Sequence, residues 1–169
     1  PYTDAWFARP DVRESTLEPV ARAGRHADAV ADAAIPVYAD APGAEAYRVG
    51  QSRVVDAEAL ADAEDGWLAT AAAAGVESVV AIPLTHREGS HGVLFVCSEE
   101  SPAVDDRELV VLEALGRAVA DAIDAIESGR ILETDEVIEL SISVQGGTLL
   151  DRVAAATGAS LASAGTMSG

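Results

Sequence analysis

Apolar positions change their period several times along the chain, and each change marks an element. Glu77 to Thr85 (ESVVAIPLT) and Gly92 to Ser98 (GVLFVCS) are nearly continuous apolar runs of strand length. His86-Arg87-Glu88-Gly89-Ser90-His91 lies between them and predicts a hairpin loop, with glycine where a positive φ is wanted. Ala5 to Arg9 and Thr16 to Ala23 predict a second hairpin, turned at Pro10, Asp11 and Ser15. The intervening stretch is alanine-rich and predicts helix from Ala27 to Ala34, stopped by Pro36. A loop at Pro42 and Gly43 and a strand from Val49 to Asp56 follow. Asp56 caps a short helix through Ala63, and a further helix from Asp65 to Ala74 ends at Gly75.

Asp105 with Glu108 three residues on resembles a capping box, and Leu112, Leu115, Val119, Ala122 and Ile126 recur every three or four positions, predicting a helix of about twenty residues ending near Glu127. Past Ser128 and Gly129 the period becomes two: Ile138, Leu140, Ile142 and Val144 alternate with Glu139, Ser141 and Ser143, and Leu149 to Ala156 predicts a short helix closed by Gly158. The pattern predicts an α+β fold, an antiparallel sheet of five or six strands flanked by helices, over residues 1–130. Residues 131–169 are too few to bury a core alone and are expected to be the truncated start of a second unit, a strand plus a helix. Pro1 in place of an initiator methionine fits a piece of a longer protein.

Charge narrows the function classes. Eleven basic against 29 acidic side chains give a net −18, every basic residue is arginine, and 35 of the 169 residues are alanine. Phosphate backbones are repelled by such a surface, so contact with DNA must belong to another part of the protein. The acids are scattered rather than blocked, as a carboxylate-solvated surface in molar salt requires, where the Debye length falls to ~3 Å. No apolar run approaches the ~20 residues that a bilayer crossing needs, so no membrane partner is expected and the setting is a salt-rich cytoplasm. One cysteine excludes an internal disulfide.

The run from Tyr47 to Ile123 resembles a GAF domain through linked features: Val54-Val55-Asp56; Gly75 to Leu84 with its glycine-x-x-serine and Pro-Leu; Gly92-Val93-Leu94-Phe95-Val96; and Asp105 to Leu109 opening the last helix. With Glu133 to Leu150 and the lysine-free composition, the chain further resembles the bacterio-opsin activator-like regulators of salt-loving archaea. That resemblance implies a non-catalytic sensory module that relays a small-molecule, redox or light-related signal to a C-terminal helix-turn-helix outside the fragment. A GAF sensor of a histidine kinase and a ligand-free dimerisation scaffold are the alternatives. GAF domains usually carry a helix before the first strand, and this sequence begins almost at that strand.

Candidate chemistry is sparse. Cys97, in an apolar strand, is expected to be a buried small hydrophobe rather than a redox-active or chromophore-bearing thiol. A lone cysteine cannot run the disulfide cycle of GAF-type methionine sulfoxide reductases. His86 and His91 flank the hairpin loop and could face a divalent metal together, although a solvated hairpin end is the simpler expectation; His26 has no evident partner. Phosphate-cradling glycine motifs are absent. No cofactor is evident, and an unknown small molecule could be held against Trp6 or Phe7, Trp67, Leu68 and Val80, which serve equally as ordinary core. Leu112, Leu115, Val119 and Ile126 form a stripe that either lies on the protein's own sheet or, with Leu109, Val111 and Ile123 as a second apolar edge, supports a parallel homodimer.

Overall fold

A computed structural model describes residues 2–63, 66–87, 89–101 and 104–128. The strand and helix expected within 131–169, and the second unit they would begin, lie outside the described residues. Eleven elements follow in chain order: β1 (Tyr2–Asp11), β2 (Thr16–Gly24), α1 (Ala27–Val30), β3 (Ile35–Pro36), α2 (Pro42–Val49), β4 (Arg53–Val55), α3 (Ala57–Ala61), α4 (Gly66–Ala73), β5 (Ser78–His86), β6 (Gly89–Ser98) and α5 (Asp106–Glu127). The six strands form one antiparallel sheet in the order β3-β2-β1-β6-β5-β4, within the predicted class.

The first strand therefore lies inside the sheet, between β2 and β6, with Trp6 opposite Phe95 and Phe7 opposite Leu94. Alternation along each strand divides the core into two layers. Trp6, Ala8, Val79, Ala81, Val93, Phe95 and Cys97 pack on one face beneath residues of α1 to α4. Ala5, Phe7, Val80, Ile82, Leu84, Leu94 and Val96 pack on the other, against α5.

Both hairpins form, with local differences from the expectation. The β1–β2 turn is held by Asp11, whose Oδ1 accepts the backbone N–H groups of Arg13 and Glu14 at 2.9 and 3.2 Å. The β5–β6 strands run further than predicted, to His86 and from Gly89, so both histidines sit on strands rather than in a six-residue loop. The positive φ there belongs to Arg87 (51°) and Gly92 (131°), not to Gly89.

Two lid elements depart further. The helix predicted over 27–34 is a single turn, because Ile35 is taken up as the sheet partner of Leu17 and pulls the chain extended. The predicted loop at Pro42 and Gly43 is the first turn of α2: Pro42 needs no N–H bond there, and Gly50 closes the helix in the left-handed region at φ 72°. Gly43 faces the Phe95 ring so closely that a Cβ would overlap it. Asp56 and Asp105 cap α3 and α5 as predicted, Asp105 accepting from Arg107 and Glu108 N–H at 2.9 and 2.8 Å.

The stripe of α5 is spent within the protomer. Leu112, Leu115 and Val119 are buried against the sheet together with Ile123, and Ile126 is buried as well. Gly116 brings α5 down onto β5, where a Cβ would stand 2.7 Å from the Ile82 methyl. These four stripe residues are consequently not available as a dimer seam, and of the expected second edge only Val111, beside Val110, is exposed.

Replacing Gly43 by Ala gains about 1 kcal/mol of helix propensity but forces the Phe95 ring aside, at about 1–3 kcal/mol. Net destabilisation is expected, read as a lower urea midpoint; a raised midpoint would mean that the ring yields freely. Tyr2, beside the acidic start of α5, has its phenol pushed up to about 12, first by burial and then by Glu108 and Asp105. An unfolded tyrosine ionises near 10, so between these values only the unfolded chain loses its proton and stability falls as pH rises. Urea titrations from pH 9 to 11.5 should show that fall, and Tyr2→Phe should make it shallower.

Candidate functional site

Three of the chain's seven aromatic residues meet beneath the lid. Neighbouring strands set Trp6 and Phe95 side by side, stacked with ring centroids 4.6 Å apart and planes 9° from parallel. Trp67, from the first turn of α4, stands edge-on to both, 5.1 Å from Trp6 at 82° and 5.2 Å from Phe95 at 74°. These spacings and angles are those at which aromatic quadrupoles attract. Small residues of the lid, Gly43, Ala44, Ala46 and Ala71, close over the cluster. Partly buried Val37, Ala39, Ala41, Tyr47, Leu68 and Ala72 pack against the same core layer.

The predicted ligand walls are thus divided. Trp67 and Leu68 are brought together with Trp6, whereas Phe7 and Val80 point through the sheet to the α5 layer. Side chains alternate along a strand, so Trp6 and Phe7 cannot share a pocket, and one site cannot hold all four predicted residues. Phe95, which sequence reasoning did not single out, completes the cluster; its register opposite Trp6 was the missing information.

Two buried polar atoms at this face lack partners. Trp67 Nε1 is shielded from solvent and meets no acceptor. Asp4, fully buried, uses Oδ1 to accept the His26 backbone N–H at 2.5 Å, while its Oδ2 is unpaired. Cys97 lies opposite Asp4 on β6, and burial, aided by the carboxylate, pushes its thiol well above the usual range. The expectation of a buried, inert thiol agrees with this environment.

The histidines take structural partners. His86 places Nδ1 2.6 Å from Asp121 Oδ1 and Nε2 3.3 Å from Asp124 Oδ2; His91 Nδ1 lies 3.4 Å from Glu127, which also holds Arg9 at 2.6 Å. The two rings are 6.4 Å apart, and among the described residues no group of three or more His, Cys, Asp or Glu is arranged to hold a metal ion. His26 is not unpartnered either, since its Nε2 lies 3.3 Å from Glu99. A separate polar groove of about 450 Å³ runs between Gly50–Ser52, the end of β5 and Glu113 and Arg117 of α5, and none of the predicted ligand walls borders it.

A six-stranded antiparallel sheet flanked by helices is the arrangement of a GAF domain. Residues 3–124 match the GAF domain family model, and the chain belongs to that family. It is 32% identical over 149 residues, 88% of its length, to the bacterioopsin transcriptional activator of Halobacterium salinarum, and spans 21% of that protein. Among solved structures it resembles the GAF domain region of a Geobacter sulfurreducens protein, with a TM-score of 0.62 and 19% identity over 73% of this chain and 82% of that one. It also resembles the GAF domain of a two-component sensor histidine kinase from Bacillus halodurans, with a TM-score of 0.59 and 18% identity over 77% and 86%. These structural likenesses establish the fold.

Because the thiolate is the reactive form, Cys97 in the folded protein should resist Ellman's reagent at pH 8 and react at once in 6 M urea. Rapid labelling of the native chain would mean that β6 opens locally far more often than its burial implies.

Proposed function

We propose that this chain is the non-catalytic sensory part of a transcription regulator, in which the aromatic seam beneath the lid takes up a small-molecule, redox or light-related signal and α5 passes it towards a C-terminal helix-turn-helix. The observation that carries this reading is the 32% identity to a bacterioopsin transcriptional activator along 88% of the chain. Absence of catalytic activity is supported by the chemistry of the site: Cys97 is buried and protonated, and both hairpin histidines are engaged by carboxylates. Among the described residues no helix is long and apolar enough to cross a membrane, in keeping with a regulator working in the cytoplasm. DNA would be reached only through the output domain, since a chain of net charge −18 repels it.

The role in a histidine kinase is the second reading, favoured by the likeness to the Bacillus halodurans domain; a ligand-free scaffold is the third. We also propose a homodimer, moved to the outward face of α5 where Val110 and Val111 remain exposed. The full-length protein, purified from its host in molar salt, separates these readings. It should bind promoter DNA, take up no phosphate from labelled ATP, release a small molecule in native mass spectrometry, and scatter light as a dimer. A phosphohistidine would replace the regulator by the kinase, an empty domain with unchanged DNA binding on deleting residues 3–124 would leave only a scaffold, and a monomer at millimolar concentration would remove the dimer.

A further inference from the structure

At the edge of the sheet beside α5 the chain builds a concavity that the aromatic cluster does not touch. Gly50 ends α2 in the left-handed region and turns the chain towards β4, which pairs with β5 only at Val79, Val80 and Ala81. The outer edge of β5 from Ile82 to Thr85 therefore has no strand beside it among the described residues. Gly116 lets α5 sink onto Ile82, which brings the turns on either side of it, carrying Glu113 and Arg117, to that open edge. The polar groove of about 450 Å³ is the space so enclosed.

Its lining selects the occupant. An extended peptide would have to join the edge of β5, and Pro83 has no N–H to give it, which is how sheet edges refuse a further strand. A small molecule is the fitting guest, and two charges decide its kind. Glu113 and Arg117 stand one helical turn apart, in the spacing and order at which a carboxylate and a guanidinium usually pair. Here they pair neither with each other nor with any other described residue, and both line the groove. The remaining polar side chains of the lining, Gln51, Ser52 and Thr85, are neutral and likewise unengaged by described residues. A lone anion would meet Glu113 on a chain of net charge −18, and a lone cation would leave Arg117 unmatched. We infer that this groove binds a small zwitterion, its carboxylate on Arg117 and its ammonium group on Glu113. The groove is separate from the aromatic cluster, so this inference stands or falls apart from the sensing reading above.

The probes are γ-aminobutyrate and, on the same four-carbon skeleton with one charge each, butanoate and butylammonium. Equilibrium dialysis of the labelled probes against the full-length protein in molar salt reads their affinities. γ-Aminobutyrate should bind saturably in the millimolar range, as fits so small a guest. It should bind about fivefold or more tightly than either single-charge probe, since each of those forgoes one charge-assisted contact. Arg117→Gln should lower its affinity to that of butylammonium, and Glu113→Gln to that of butanoate. Glu113→Arg and Arg117→Glu should each abolish binding, and the two together should restore it, because a zwitterion can enter either way round. A merely structural role for these side chains would not give that rescue. Arg117 is exposed and Glu113 half-buried, so far-UV circular dichroism of the variants should match that of the unaltered protein. In the unaltered protein, no saturable uptake of γ-aminobutyrate below about 100 mM, or equal binding of butanoate or butylammonium, overturns the inference without needing a variant. Binding that survives Arg117→Gln overturns it as well.

Discussion

Trp6 and Phe95 come from strands almost ninety positions apart, and their stacking at 4.6 Å couples the register of β1 and β6 to the seat of the lid. A slip of one residue in either strand would turn one ring into the α5 layer, since alternate side chains leave a sheet on opposite faces. Trp67 then has no surface to stand against, and the short lid helices lose their anchor. Those helices have little to hold them otherwise. α1 is a single turn, α3 has five residues, and the buried residues of α2 are Gly43, Ala44 and Ala46, so they are ordered by what lies beneath them rather than by their own propensity.

Arginine serves as the chain's only strong cation, and its multiple donors are spent where backbone is irregular. Arg48 grips the carbonyls of Val37 and Ala39, Arg22 reaches both the Ala31 carbonyl and Asp28, and Arg53 holds Glu45 at 2.9 Å, which keeps that carboxyl below its ordinary range. On the other face, Asp121, Asp124 and Glu127 crowd the C-terminal end of α5, where the helix dipole disfavours anions. Arg9 pairs with Glu127, and the rings of His86 and His91 lie against the carboxylates of Asp121, Asp124 and Glu127, tying the β5–β6 hairpin to the end of the helix. The acidic surface thus coexists with a few directed arginine contacts instead of a general charge balance.

Much of this architecture was legible along the chain, because strands and the long helix announce themselves by period. The central hairpin, the β1–β2 hairpin, the caps at Asp56 and Asp105 and the reach of α5 all follow from local pattern. What failed was information that only tertiary contact supplies. Pro42 and Gly43 are loop residues by composition, yet here proline suits a first helical turn and glycine is demanded by a ring from a distant strand. Residues 31–34 have the composition of a helix, but Ile35 gains more as a strand partner of Leu17. Of the four proposed ligand walls, Trp67 and Leu68 share the Trp6 layer while Phe7 and Val80 lie in the α5 layer, since a single-residue phase decides which face a strand side chain takes. The α5 stripe was visible as a stripe, and only the sheet beneath it shows that its partner lies within the same protomer.

The position of β1 inside the sheet also shapes how the molecule is made. During synthesis β1 can pair with β2 as soon as residue 24 has been added, but its other edge stays open until β6, at 89–98, has been made. For that interval Trp6 and Phe7 are uncovered on opposite faces of a two-stranded ribbon with an unpaired side, the kind of template on which nascent chains associate. Closing the sheet is a non-local step and therefore slow compared with forming any of the helices. Charges of both signs line that ribbon, Asp4, Asp11, Glu14 and Glu18 against Arg9, Arg13 and Arg22. Mixed charge along these two strands, rather than the net acidity of the whole chain, guards the exposed edge of the half-made sheet.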